Sequence, residues 1–437
     1  MAQRVQGTED LIGGYARAWQ RMQDEARELF GTYGFDYVET PAFEQVDTFV
    51  HGIGESTDVV RKEMFRVYSG GLIDELLAAG SEEGLKPRQR MAMRPEGTAG
   101  VVRAAVEHNL VPQGASPAKL WYAEAMFRGE RPQKGRLRQF HQVGVEWLGA
   151  PDPAADAECI IMLMEYFERL GFDPSSLRLY INSMGDAACR PAYREKVRTY
   201  ILDHADEMCD DCLERAEVNP LRAFDCKNDH CREVMKDAPL ACDNLCDECA
   251  AHYAQVKRYL DAAGVEYVED PTLVRGLDYY TRTVFEVEAV GSGVGSIGGG
   301  GRYDGLVELE GGKPTPGLGF AVGFERIVLA LQAQGVSLED EEPSCVYVAG
   351  TSAEQREAVF SATAALRAAG VRTEADYQGR SLKSQLKQAD RLHASLCVLI
   401  GPDEVAAGVV TVRDMSTHEQ TQVPMDALAE EIVARLA

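Results

Sequence analysis

The sequence predicts an α+β protein: an antiparallel-sheet core, interrupted by a mainly helical insertion and followed by a small α/β domain. Three observations carry that prediction. The 437 residues exceed what one hydrophobic core organises, so two or three domains are expected. Two apolar runs, Leu120 to Tyr122 and Phe140 to Trp147, flank a segment punctuated by Gly129, Pro132 and Gly135, the pattern of a strand hairpin. Beyond the polar, acidic stretch Gln332 to Pro343, strand-like and helical runs alternate, which marks off an α/β unit. The expected division is a core over 1–175 and 263–335, an insertion over 176–262 and a final domain over 343–437.

The first element is a helix from Tyr15 to Tyr33, because Tyr15, Trp19, Met22, Leu29, Phe30 and Tyr33 recur at helical spacings with Ala26 in phase and Gly34 as the stop. Phe35 to Pro41 then alternates as a strand. The hairpin follows. In the final domain, Cys345 to Val348, Leu396 to Ile400 and Val409 to Val412 read as strands. On a helix between them, Arg380, Lys383, Lys387 and Arg391 are spaced to share a face, which on residue grounds alone is a solvated helix surface.

Composition sets limits on function. With 45% apolar and 26% charged residues the chain is ordinary globular protein. Met1 to Asp10 has no apolar signal core, and no run approaches the roughly 18 apolar residues of a membrane span. A cytoplasmic protein with no membrane partner is expected. Its net charge of −25 repels polyanions, so any nucleic acid must be met by a local patch. Eleven cysteines in so long a chain point to reduced thiols rather than a disulfide scaffold.

Such a patch exists. Residues 128–139 hold five cations and one carboxylate, a local charge of +4 that repels itself unless an anion is expected there. A phosphate is the natural candidate. Gly293 to Gly298 matches the dinucleotide fingerprint in form, but Gly299 to Gly305 follows where a helix is required, so a Rossmann site is rejected. No GxxxxGK[ST] loop is present either, so ATP would have to be held by arginine side chains. The glycines instead let backbone approach a ligand closely, or form a plain bulge.

The segment Phe127 to Gln142 resembles motif 2 of the class II aminoacyl-tRNA synthetases, Gly323-Phe324-Glu325-Arg326 resembles motif 3, and the Tyr15 to Pro41 helix and strand resemble motif 1. Arg94-Pro95-Glu96-Gly97-Thr98 and the segment Leu273 to Glu286 are similar to signatures of the histidyl-tRNA synthetase family. The chain is identified as a member across nearly its whole length. The resemblance implies a class II antiparallel-sheet catalytic domain, a C-terminal α/β anticodon-binding domain and a homodimer, although periodicity alone leaves the first helix an ordinary surface helix. It implies ATP-dependent ligation of L-histidine to histidine tRNA through a histidyl-adenylate, with ATP used as its Mg2+ complex.

Residue by residue, the resemblance places the α-amino group of histidine near Glu96, Thr98 and Gln142 and the imidazole near Glu146 and Tyr280 with Tyr279 adjacent, and counts Gly97 among the histidine-binding residues. A carboxylate and a phenol suit a ring with one donor and one acceptor. Arg128 and Arg275 grip the α-phosphate from two sides, where charge develops during in-line displacement. Glu130, Arg136, Phe140 and Arg326 complete the ATP site, with adenine between Arg326 and Phe140. Arg131 and Gln133 face the tRNA acceptor end, and Lys134, Arg136 and Arg138 hold phosphates or lie in solvent. The basic stripe of the last domain becomes a candidate anticodon contact. A regulatory paralogue without catalysis is the runner-up, but the features such paralogues lose are all present, and a glycine, proline or threonine pocket fits the paired tyrosines less well.

The insertion holds Cys209, Cys212, Cys226, Cys231, Cys242, Cys246 and Cys249. Close cysteine pairs suit tetrahedral zinc, yet Cys242, Cys246 and Cys249 also fit one buried helix face, and four ligands are not singled out by spacing. The resemblance does not itself imply zinc, and the reading leans against a metal here while leaving zinc open.

Overall fold

A computed structural model describes residues 3–55, 57–82, 84–111, 116–338 and 345–436. They divide into two compact units on either side of residues 339 and 340. Of the acidic stretch expected to separate them, residues 339–344 lie outside the described residues. Among the described residues no helix is long and apolar enough to cross a membrane.

The larger unit is built on an eight-stranded sheet. In chain order its strands are β1 (Asp36–Tyr37), β2 (Ala118–Phe127), β3 (Gln139–Leu148), β4 (Leu177–Ser183), β5 (Val268–Glu269), β6 (Thr281–Ala289), β7 (Ser296–Arg302) and β8 (Gly317–Gly323). In space they run β1-β2-β3-β8-β7-β6-β4-β5. The central pairings are antiparallel, while the short outer strands β1 and β5 pair parallel to β2 and β4.

The two-residue period of a strand assigns the faces of this sheet. Val143, Val145 and Trp147 of β3 join Leu318, Phe320 and Val322 of β8 in one large core. The helices Gly13–Thr32 and Pro153–Arg169 close that core, the first by burying Ala18, Met22, Ala26, Leu29 and Phe30. The alternate residues, Phe140, Gln142 and Glu146 on β3, fall on the opposite face, where the site lies. The first helix and the hairpin match their sequence expectations. The strand expected over Phe35 to Pro41 contracts to β1, because Thr40 turns away to donate its backbone N–H to Glu124 Oε1 at 2.5 Å.

The insertion boundaries move. β4 lies within 176–262 yet pairs along its length with β6, so it belongs to the eight-stranded sheet. The helix Asp247–Ala262 also returns to the core, where Tyr253, Val256 and Leu260 are buried with the Pro153–Arg169 helix. The inserted part proper is the helical run between them, from the helix Arg190–Asp203 through shorter helical turns to Asn244.

In the smaller unit, Cys345–Gly350, Thr373–Ala375 and Ala394–Ile400 are parallel and Val409–Asp414 and Gln420–Pro424 antiparallel in one five-stranded sheet. The strands at Thr373 and Gln420 were not foreseen. On the helix Leu382–Arg391, Gln385 and Ala389 are buried and Lys383, Lys387 and Arg391 exposed. Arg380 precedes that helix and donates to Gln378 Oε1 at 2.6 and 3.1 Å, so the basic stripe holds three cations, not four.

Candidate active site

The polar face of the sheet floors a cleft of about 970 Å3 that gathers the hairpin, β7, β8 and the Leu273–Tyr280 segment. Glycine makes the floor possible. A Cβ at Gly299 would stand 2.6 Å from Phe285 O and 2.9 Å from Arg275 Nη1, and one at Gly319 would stand 2.2 Å from Val145 O and 2.4 Å from Glu146 Oε2. Any side chain there would collide with backbone or displace a polar group.

At one end lies a buried polar cluster. Glu96 accepts the Thr98 and Ala99 N–H groups at 2.8 and 2.9 Å, capping the first turn of the helix Thr98–Glu107. Arg94 fixes the approach to it, donating to Thr40 O and Ala125 O and pairing with Glu124 at 2.7 Å. The Tyr279 hydroxyl lies 3.5 Å from Glu96 Oε2 and 3.4 Å from Thr98 Oγ1. Gln142 Oε1 is buried with no hydrogen-bond partner, an acceptor awaiting a donor in the cleft.

Two residues expected at the ligand surface lie behind it. Glu146 is 1% exposed and sits beneath the floor, where it accepts from Thr98 Oγ1 at 2.7 Å and from the Tyr303 hydroxyl. Burial raises its pKa to about 8. Gly97 does not line the cleft, and it is glycine because a Cβ would strike the Tyr122 ring at 2.4 Å. Tyr303 and Tyr122 were not read as site residues from the sequence, although Tyr303 lies two residues beyond the glycine run.

The other end is cationic. Arg128, Arg136, Arg275 and Arg326 line the cleft together with Glu130 and Phe140. Arg128 donates to Pro95 O at 2.9 Å, and its guanidinium carbon lies 5.1 Å from the Phe140 ring centre. The cation over Phe140 in this structure is therefore Arg128, while Arg326 donates to Ser296 O at 2.6 Å. Burial, with Arg136 nearby, holds the Arg326 guanidinium below its ordinary pKa, against the opposing pull of Glu286 and Glu130.

Arg275 is partly buried against the floor, its side chain 19% exposed, and pairs with Glu286 at 2.5 Å, while its carbonyl accepts from Arg222 at 3.1 Å. Glu286 was not anticipated as a site residue. Glu325 pairs not with Arg326 but with His141, accepting its N–H at 3.1 Å and facing Nδ1 at 2.9 Å. That contact locks the motif 3 helix Phe324–Ala333 to β3.

The exposed tip of the hairpin carries Arg131, Gln133 and Lys134 outside this cleft. Its base is held by a segment near the N-terminus, since Gly7 O accepts the Arg138 N–H at 2.7 Å. Cys209, Cys212, Cys226 and Cys231 form one cluster in the insertion. Cys246 and Cys249 form another with Cys189 and Asp186, neither of which was foreseen. Cys242 is exposed and belongs to neither, so its sequence candidacy as a ligand is withdrawn.

Comparison with known proteins agrees with this geometry. Residues 85–327 match the family model for histidyl-tRNA synthetase and residues 345–435 that for an anticodon-binding domain. Histidine--tRNA ligase of Moorella thermoacetica is 45% identical over 433 residues, covering 98% of this chain and 97% of that protein. The Halothermothrix orenii enzyme of the same name is 44% identical over 98% and 97%. The crystal structure of apo S. aureus histidyl-tRNA synthetase superposes with a TM-score of 0.79 at 34% identity, covering 99% of each chain. The chain belongs to the histidyl-tRNA synthetase family, the class II enzymes that ligate histidine to its tRNA.

Proposed function

We propose that the two ends of the cleft divide the work of that ligation, the buried polar cluster selecting histidine and the arginines activating ATP. The observation that carries this reading is the meeting in one cleft of Glu96, Thr98, Gln142 and the paired tyrosines with four arginines. The α-ammonium of histidine finds acceptors in Glu96, whose remaining lone pairs are free of the helix amides, and in the unpartnered Gln142 Oε1. Tyr280 meets the imidazole directly, and Glu146 governs the pocket from beneath through Thr98 and Tyr303. The histidine carboxylate attacks the α-phosphorus, pyrophosphate leaves, and Arg128 and Arg275 neutralise the charge that gathers there. The terminal adenosine hydroxyl of tRNA then takes the histidyl group and releases AMP.

ATP would bring Mg2+, and Glu130, which lines the cleft 3.4 Å from Arg136, would hold it. Arg131 and Gln133, on the exposed tip, face the tRNA acceptor end. A homodimer through the motif 1 region fits the exposure of Tyr37 and Phe43, 51% and 49% exposed beside the sheet edge.

The test is histidine-dependent exchange of pyrophosphate into ATP, screened over twenty amino acids without tRNA. Exchange with histidine alone is expected. Histidine binding without exchange would overturn the catalytic assignment.

Glu146 gives a further expectation. Its folded pKa of about 8 lies above the ordinary 4.5, so it favours the folded state at low pH and loses that contribution as pH rises through about 8. Glu146→Gln copies the protonated form. It should flatten the fall in melting temperature between about pH 5 and 8, the interval bounded by the unfolded and folded values, and equal slopes in both proteins would refute the assignment.

A further inference from the structure

The insertion contains two four-ligand clusters that the ligation chemistry does not use. In the first, the Sγ atoms of Cys209, Cys212, Cys226 and Cys231 all lie within 4.8 Å of one another. In the second, Cys189, Cys246, Cys249 and Asp186 meet the same limit. The geometry points to two tetrahedral zinc sites, one with four thiolates and one with three thiolates and a carboxylate.

The spacing of the sulfurs discriminates between bonding modes. A disulfide brings its sulfurs to about 2.05 Å. Zinc–thiolate bonds of about 2.3 Å, arranged tetrahedrally, hold sulfurs about 3.8 Å apart. Cys209 and Cys226 stand 3.8 Å apart, and Cys189 and Cys249 stand 3.9 Å apart. Asp186 Oδ1 lies 3.7 Å from Cys189 Sγ and 4.0 Å from Cys246 Sγ, close to the edges of the same polyhedron. Such mutual closeness of four ligands suits a single ion at the centre rather than a multinuclear cluster.

Local structure repeats the same device twice. Cys209 precedes the helix Asp210–Val218 with Cys212 in its first turn, and Cys246 precedes the helix Asp247–Ala262 with Cys249 in its first turn. Each Cys-x2-Cys pair thus wraps a helix start, where the helix dipole favours thiolates. Backbone N–H groups aim at the sulfurs as well, Cys209 N at Cys231 Sγ at 3.2 Å and Asp186 N at Cys189 Sγ at 3.4 Å. Cys242, the cysteine of the insertion left over, is exposed.

Both sites brace one stretch of the cleft wall. Asn219 and Arg222, between Cys212 and Cys226, bond Asp278 Oδ1 at 2.6 Å and the Arg275 carbonyl at 3.1 Å. From the other side, Arg190 beside Cys189 donates to the Tyr280 carbonyl, and Asp186 holds Arg282 at 3.1 Å. The zinc ions are structural knots that hold Arg275 to Arg282 in register. They take no part in the chemistry.

The test is elemental analysis and native mass spectrometry of the full-length protein, purified in reducing, chelator-free buffer after growth with zinc. Two zinc ions per chain are expected, falling to one in Cys212→Ser and one in Cys249→Ser and staying at two in Cys242→Ser. Should either variant fail to fold, titration of the unaltered protein with an organic mercurial keeps the test open, because two zinc ions should be released as the thiols are consumed. One ion, lost in Cys212→Ser but kept in Cys249→Ser, would uphold the first site and overturn the second. A folded, reduced protein without zinc, or one with disulfides in either cluster, would overturn both. Zinc extraction should also slow pyrophosphate exchange about a hundredfold, the scale of a small misplacement of a reacting group.

Discussion

Arg275→Ala is expected to slow histidyl-adenylate formation by about 10²–10³-fold, the scale seen when a preorganised donor to developing charge is removed. Histidine binding should change little. The reason is placement, since Arg275 lies across the glycine floor against Gly299 and pairs with Glu286, with its guanidinium carbon 5.7 Å from the Tyr280 ring centre. An interaction made mainly as charge develops lowers the rate of the chemical step more than it weakens the ground state. Arg275→Lys should fail to rescue, because one ammonium lacks the planar fork that serves Glu286 and a phosphate together. Single-turnover adenylate formation, with histidine affinity measured in parallel, decides the matter. An unchanged rate would remove Arg275 from the chemistry.

The largest effect on stability is expected at Arg302. Its side chain is 1% exposed and donates to both oxygens of Asp156, to Ala150 O at 2.9 Å and to Asp304 at 3.2 Å. Asp156 is itself 2% exposed, with His252 Nε2 at 3.4 Å. Burial alone would raise the Asp156 pKa, but His252 and Arg302 outweigh it and hold the carboxylate below its usual range. Arg302→Ala leaves that charge buried with one weak partner, a loss of about 3–5 kcal/mol. Chemical denaturation measures it. A loss under 1 kcal/mol would show that the Pro153–Arg169 helix does not depend on this pair for its seat on β7.

Where the sequence was legible, local pattern and tertiary structure agreed. The first helix announced itself because its apolar period matches the core it faces, and the hairpin because glycine and proline interrupt two apolar runs. The legible site residues were those whose type is costly without a ligand, above all the crowded arginines. What stayed hidden depends on registry between distant segments. Glu146 lies behind the floor only because Gly319 pairs opposite it. The 176 boundary was placed too early because β4 finds its partner, β6, about a hundred residues away. Cys189 and Asp186 join Cys246 and Cys249 across nearly sixty residues, a closure that no spacing rule within the cysteine cluster reveals.

The glycine floor has a consequence for how substrate choice can evolve. At Gly298 a Cβ would meet Val322 and Phe167 on the core side, at Gly299 it would meet Arg275 on the cleft side, and at Gly300 it would stand 2.0 Å from Gly319 O. Both faces of the strand are closed to side chains. At Gly298, Gly299 and Gly319 the base of the cleft is therefore drawn by main-chain atoms, and point mutation has no alphabet there with which to write a new shape. Diversification toward other amino acids is confined to the walls, at Thr98, Gln142, Tyr279 and Tyr280, where one residue can be exchanged for another without breaking the sheet beneath.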